Sequence, residues 1–215
     1  GIFAYVTNHN DTTVSVIDTT TNSVINTIAV GNGPQGIAIA NTSSGIFAYV
    51  INYDDTTVSV IDTTTNSVIN TIDLSPSPQE IAIAYTSSGI FAYIPDDFLN
   101  NVYVIDTASN SVIDNVSVGS QPYGVAIANT SSGIFAYVPN SIDNSISIID
   151  TASNSVINTV SAGFAPARVA IANTDSGIFA YVANADNTVS VIDTTSNTII
   201  ATVPVGTSPR GIAIK

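Results

Sequence analysis

At 215 residues and 45% apolar content, the chain can bury roughly 70% of the surface its unfolded form exposes, enough for a substantial core. Sixteen acids against only Arg168, Arg210 and Lys215 give a net charge of −13, which argues against nucleic acid as a partner because counterion displacement needs clustered bases. Cysteine is absent, so there is no disulfide framework, thiolate nucleophile or Cys-ligated metal, and no apolar run approaches the roughly 20 residues of a membrane helix.

GIFAY opens at Gly1, Gly45, Gly89, Gly133 and Gly177, a constant 44-residue period and the mark of a repeat architecture. In the first copy four extended segments follow one another: GIFAYVTN from Gly1, TVSVID ending at Asp18, SVINTIAV from Ser23 and QGIAIA from Gln35. Turn residues separate them at Asn10–Asp11, Thr19–Asn22, Gly31–Pro34 and Asn41–Gly45. The β-branched and aromatic content suits strands, and no segment shows a 3.6-residue period. The other copies repeat this order, so residues 1–215 are expected to form one all-β domain.

Four short strands per repeat describe a propeller blade, and the usually shorter coils of a β-helix fit less well. Alternation in GIAIA puts Ala38 and Ala40 on one face, as do Ala82 and Ala84, Ala126 and Ala128, and Ala170 and Ala172. Small residues suit an innermost strand, where blades converge. The expected fold is a five-bladed β-propeller with four antiparallel strands per blade. Because the sequence starts at a second strand and ends in PRGIAIK, the ring is expected to close by pairing Pro209–Lys215 with Gly1–Asn8, removing an open edge. The alternative is a fragment of a longer array. No basic-then-apolar leader precedes Gly1, so a mature or excised chain is expected.

Tyr5-Val6-Thr7-Asn8 followed by TVSVIDTTTNSVINTIAVG resembles the YVTN repeat of β-propeller proteins, best known from archaeal surface layers and also found in bacteria. Tyr49–Asn52, Tyr137–Asn140 and Tyr181–Asn184 keep Tyr-Val-x-Asn, whereas Tyr93-Ile94-Pro95-Asp96 departs from it. Asn-Thr-Ser-Ser-Gly stands where the family often has Pro-Asp-Gly. The resemblance implies a propeller at a cell surface.

Differences between the copies mark candidate sites. Asp18, Asp62, Asp106, Asp150 and Asp193 recur before a polar turn and are expected to accept backbone N–H bonds there. Variation concentrates in the turn between the second and third strands and in the link into each innermost strand, which should emerge on one face. That face would collect Tyr53, Phe98, Tyr123 and Phe164 with Glu80, Arg168 and Arg210 as binding residues. Asp11, Asp54, Asp55, Asp96, Asp97, Asp143 and Asp186 would form an acidic rim on it. The pairs Asp54-Asp55 and Asp96-Asp97 are the first choice for a cation such as calcium, although no ligand set for a metal or other cofactor is spelled out.

Glu80 is the single glutamate and His9 the single histidine, so no catalytic constellation is expected. Sequons at Asn10, Asn41, Asn115 and Asn129 would accept glycans on an exported protein, Asn41 and Asn129 on the face opposite the variable one. The reading is a non-enzymatic extracellular or cell-surface module making protein contacts, including self-assembly into a surface layer or filament. A glycan-binding propeller is the alternative and a glycoside hydrolase the third.

Overall fold

A computed structural model describes residues 1–215. The first blade contains β1 (Phe3–Asn8), β2 (Thr13–Asp18) and β3 (Ser23–Ala29), followed in the second by β4 (Pro34–Thr42), β5 (Gly45–Asn52), β6 (Thr57–Asp62) and β7 (Ser67–Asp73). The third comprises β8 (Ala82–Thr86), β9 (Gly89–Asp96), β10 (Asn101–Asp106) and β11 (Ser111–Ser117), and the fourth β12 (Ala126–Thr130), β13 (Gly133–Asn140), β14 (Ser145–Asp150) and β15 (Ser155–Ser161). The fifth is β16 (Pro166–Thr174), β17 (Gly177–Asn184), β18 (Thr188–Asp193) and β19 (Thr198–Pro204). Each sheet runs from inside to outside in chain order and is antiparallel throughout, the arrangement of a five-bladed β-propeller.

Blades pack face to face through a repeated set of side chains. Tyr49, Ile51, Val58 and Val60 of the second blade meet Ala92, Ile94, Tyr103 and Ile105 of the third, and equivalent residues join the later blades. Both faces of the middle blades are covered, which explains why VSVID-type strands carry bulk on both sides. Each outer hairpin skips one residue, between Val16 and Ile17 in the first blade and at the same place in the others. Such a bulge twists the outer strand.

Two turn types recur. Backbone N–H groups of Thr20, Thr64, Ala108, Ala152 and Thr195 donate to Asp18, Asp62, Asp106, Asp150 and Asp193 at 2.7–3.1 Å, as the repeated Asp predicts. These bonds hold the Asp18 and Asp193 carboxyls below the ordinary carboxylate range. Asn22, Asn66, Asn110, Asn154 and Asn197 end the same turns at φ of 48–53°, a left-handed conformation that asparagine tolerates.

Ring closure does not form. The first sheet has three strands, β1-β2-β3, and Pro209–Lys215 pairs with none of them. Its link is built like the others, since Ser208 N–H donates to Asn187 Oδ1 as Gln121 does to Asn100 and Ala165 to Asn144. The segment therefore starts along the path of an innermost strand and pairs with no strand of residues 1–215. The first and fifth blades each leave one face uncovered within residues 1–215, with Val6 and Val203 both 43% exposed.

Candidate functional site

The two kinds of variable loop do emerge together. Asp55 accepts from the N–H and side-chain amide of Asn32, Asp143 from Ser120 N–H and Asp186 from Phe164 N–H, at 2.7–3.0 Å. Each acid thus fastens a link to the neighbouring turn of its own blade. The Asn32 donors lower the Asp55 carboxyl from its usual range, and the Thr188 hydroxyl followed by Phe164 N–H lowers Asp186. Part of the expected acidic rim is consequently a set of loop fasteners.

Asp96 corrects that expectation outright, because it is fully buried. It occupies the position of Asn52, Asn140 and Asn184, whose amides donate to hydroxyls of the adjacent strand, as Asn52 does to Thr57 and Ser59. A glycine in the link sits over each of these asparagines, and a Cβ on Gly31 would lie 2.7 Å from Asn52 Cγ. The third blade changes the whole assembly: Ser75 replaces that glycine, Tyr103 replaces the serine, and Ser75 N–H donates to the Tyr103 hydroxyl at 3.2 Å. Asp96 Oδ1 accepts from Phe98 and Leu99 N–H, while Oδ2 has no partner. Burial raises its pKa. Neither Asp96-Asp97 nor Asp54-Asp55 is joined by a third Asp, Glu or His in a group that could hold a metal ion.

Four predicted binding residues meet at the centre of the variable face. Arg168 Nη1 lies 2.6 Å from Glu80 Oε2, and its guanidinium sits 4.8 Å from the Tyr123 ring centroid. Glu80 and Arg168 occupy the same repeat position two blades apart, with Gly124 between them. A Cβ on Gly124 would lie 3.2 Å from Glu80 Oε2 and 2.6 Å from the Ala167 carbonyl, so the bare glycine leaves room for the pair. Glu80, Tyr123, Arg168 and Arg210 line a depression of about 640 Å³ that also holds Pro209 and Ile212. Two of the chain's three basic residues therefore share one hollow.

Tyr53 stands apart, half-buried and hydrogen-bonded to Ser77 at 3.3 Å. Phe98 is 71% exposed and Phe164 64%, and each projects from a different blade. Two residues that the sequence does not single out, Leu99 and Ile142, are exposed apolar side chains in the same kind of turn, at 44% and 62%. Hydrogen bonds from Gln121 to Asn100, Ile142 to Ser120 and Ala165 to Asn144 make the intervening loops continuous. The signal for Ile142 was a large aliphatic residue in a turn that is polar in three of the other copies. Sequon residues Asn10, Asn41, Asn115 and Asn129 are all exposed, and His9 lies in a short exposed 3-10 turn.

No family model and no curated protein matches the chain. Among solved structures it is similar to Kuenenia stuttgartiensis hydrazine synthase, at 24% identity and TM-score 0.76 over 94% of this chain and 62% of that one. It is also similar to a functionally unknown protein from Desulfotomaculum acetoxidans, at 21% identity and TM-score 0.77 over 92% of this chain and 65% of the other. A third likeness is to the dihydro-heme d1 dehydrogenase NirN, at 10% identity and TM-score 0.72, covering 95% and 46% of the two chains. The chain thus spans less than two thirds of each of these structures. At such identities the likeness shows a shared propeller fold and carries no activity across.

Proposed function

We propose that the chain is a YVTN-type propeller acting as a non-enzymatic, extracellular or cell-surface contact module that binds a protein partner through its variable face. The observation that carries this reading is that four large apolar side chains, Phe98, Leu99, Ile142 and Phe164, stand 44–71% exposed in hydrogen-bonded loops of one face. Large exposed apolar patches rimmed by polar groups mark interaction surfaces. The many exposed sequons and the one-sided charge suit an exported protein. Enzymatic chemistry has little support here, since the only glutamate is ion-paired to Arg168.

Replacing Phe98 and Phe164 together by Ser tests the reading. Binding of the purified protein to envelope fractions of its source organism, followed by co-sedimentation, should weaken at least about thirtyfold, the scale of lost hot spots. Asn41→Gln with Asn129→Gln, on the opposite face, should leave it unchanged. Equal binding by wild type and the double Ser variant would sink the proposal. The glycan alternative draws support from the 640 Å³ hollow, although Arg168 already covers one face of Tyr123. A glycan array bound by wild type and lost with Arg210→Ala would favour it.

A further inference from the structure

The ion pair at the centre of the variable face leaves most of its bonding capacity free. Arg168 Nη1 and Glu80 Oε2 meet at 2.6 Å, but Arg168 donates to no other acceptor of the protein and Glu80 accepts from no other donor. Their side chains are 36% and 31% exposed, and a pair so open to water is weakly held. The guanidinium is steadied instead by the Tyr123 ring, on whose face it rests.

A second hollow, of about 250 Å³, borders the same two residues and is otherwise lined chiefly by Gln35, Ile37, Gln79 and Ile81. Gln35 Nε2 donates to the Pro78 carbonyl and Gln79 Nε2 to the Ser77 hydroxyl, each at 3.1 Å, which leaves both side-chain carbonyl oxygens without a donor in the protein. Gln35 and Gln79 hold one repeat position in adjacent blades, and Glu80 and Arg168 replace the glycine that follows that position in the other three copies. The hollow thus combines a cationic fork, a carboxylate and two amide oxygens with the apolar Ile37 and Ile81. Its volume falls below the roughly 300–1,000 Å³ of sites for drug-sized ligands and suits a smaller one.

We propose that this hollow binds a small zwitterion, an α-amino acid, between Glu80 and Arg168. The ligand carboxylate takes the free N–H groups of Arg168, in the planar geometry a guanidinium offers to a carboxylate. The ammonium is held by Glu80, with the amide oxygens of Gln35 and Gln79 as further acceptors for its three protons. Charge decides the class. A simple anion would draw Arg168 away and leave Glu80 unpaired in a chain of net charge −13, and a simple cation would leave Arg168 unpaired. An amino acid gives each a new partner, and opening so weak a pair costs little. Ile37 and Ile81 supply apolar contact for the ligand's side chain. The site is distinct from the Phe98 and Phe164 side chains that carry the contact reading.

Isothermal titration calorimetry of the purified protein against each standard L-amino acid tests the assignment. At least one should bind at a single site with a Kd below about 1 mM. Its N-acetyl and amide derivatives, which each lack one charge, should bind at least about tenfold more weakly, the scale of a lost hydrogen bond to a charged group. Glu80→Gln and Arg168→Gln should each weaken binding by a similar factor with melting temperature retained, and Glu80→Gln alone decides the matter should Arg168→Gln fail to fold. Asn129→Gln, on the opposite face, should bind as the unmodified protein does. No binding by any amino acid would overturn the proposal. So would an N-acetyl derivative that binds as tightly as the free amino acid, which marks a plain carboxylate site, or undiminished binding by Glu80→Gln.

Discussion

Tyr49 donates its hydroxyl to Asn110 Oδ1 across 2.6 Å, a latch that ties the second blade to the turn of the third. The asparagine does two things at once. Its left-handed backbone ends the IDTTTN-type turn, and its side-chain carbonyl accepts from the preceding blade. The tyrosine is fully buried and so needs that acceptor.

Removing one such hydroxyl should therefore cost stability only where the latch is made. Tyr137→Phe leaves the Asn197 carbonyl without its donor and should destabilise the monomer by about 1 kcal/mol. Tyr181→Phe breaks no bond within the molecule and should leave the monomer unchanged. Denaturant unfolding of dilute protein compares the two, and equal losses would refute the latch.

Alkaline pH should act on the same residues. Burial, reinforced by the charge of Asp106, pushes the Tyr49 hydroxyl up to about 12, and burial raises Tyr93 and Tyr137 in the same direction. A folded pKa above the unfolded value of about 10 means that the native state holds its proton longer. Stability from these tyrosines is thus complete below about pH 10 and is lost as pH rises through about 12. Melting temperature should fall across that window, and less steeply after Tyr49→Phe at a matched neutral-pH stability. A flat profile would contradict buried, protonated latches.

Asp96 supplies the opposite end of the pH scale. Its carboxyl is raised by burial, with one oxygen lacking a partner. The native state accordingly binds a proton that the unfolded chain has released, and stability falls as pH rises from the ordinary carboxylate range through the raised folded value. Asp96→Asn restores the side chain of the other repeats and offers an amide toward Asn101, its cross-strand neighbour, whose Oδ1 is itself unpartnered. The variant should gain about 1–3 kcal/mol at neutral pH, the cost of an unsatisfied buried group, and lose the acid-range slope. A destabilised variant would show that the carboxylate is held by something beyond Phe98 and Leu99.

Repetition made the scaffold readable and made closure hard to read. Strand order, the Asp turns and the shared face of the variable loops follow from the period together with local turn chemistry, because each copy confirms the others. Closure depends instead on a contact between residues about 200 positions apart, which no residue encodes locally, so Pro209–Lys215 carries the sequence of an inner strand and pairs with no strand of the first blade. Asp96 departs from the expected acidic rim for a related reason. Its sequence neighbour Asp97 and the loop it opens look exposed, while its burial comes from replacing Asn52-type residues at the end of β9.

Gly124 is the last case where the sequence hides a requirement, since three of the five copies hold glycine there while Glu80 and Arg168 replace it in the other two. A methyl group at this position would meet the Ala167 carbonyl at 2.6 Å and Arg168 Cα at 3.3 Å, both backbone atoms of the next blade that cannot swing aside. Gly124→Ala should therefore force the fourth and fifth blades apart locally and cost about 1–3 kcal/mol, the range for overpacking. The partly exposed Glu80–Arg168 pair contributes little of that, as ion pairs in contact with water are worth under about 1 kcal/mol. Glu80→Gln should accordingly be near neutral in thermal unfolding. Gly206→Ala, where nothing approaches within 4 Å, serves as the control for backbone entropy and should not destabilise. If Glu80→Gln proved as costly as Gly124→Ala, the ion pair and not the glycine would hold the centre of this face together.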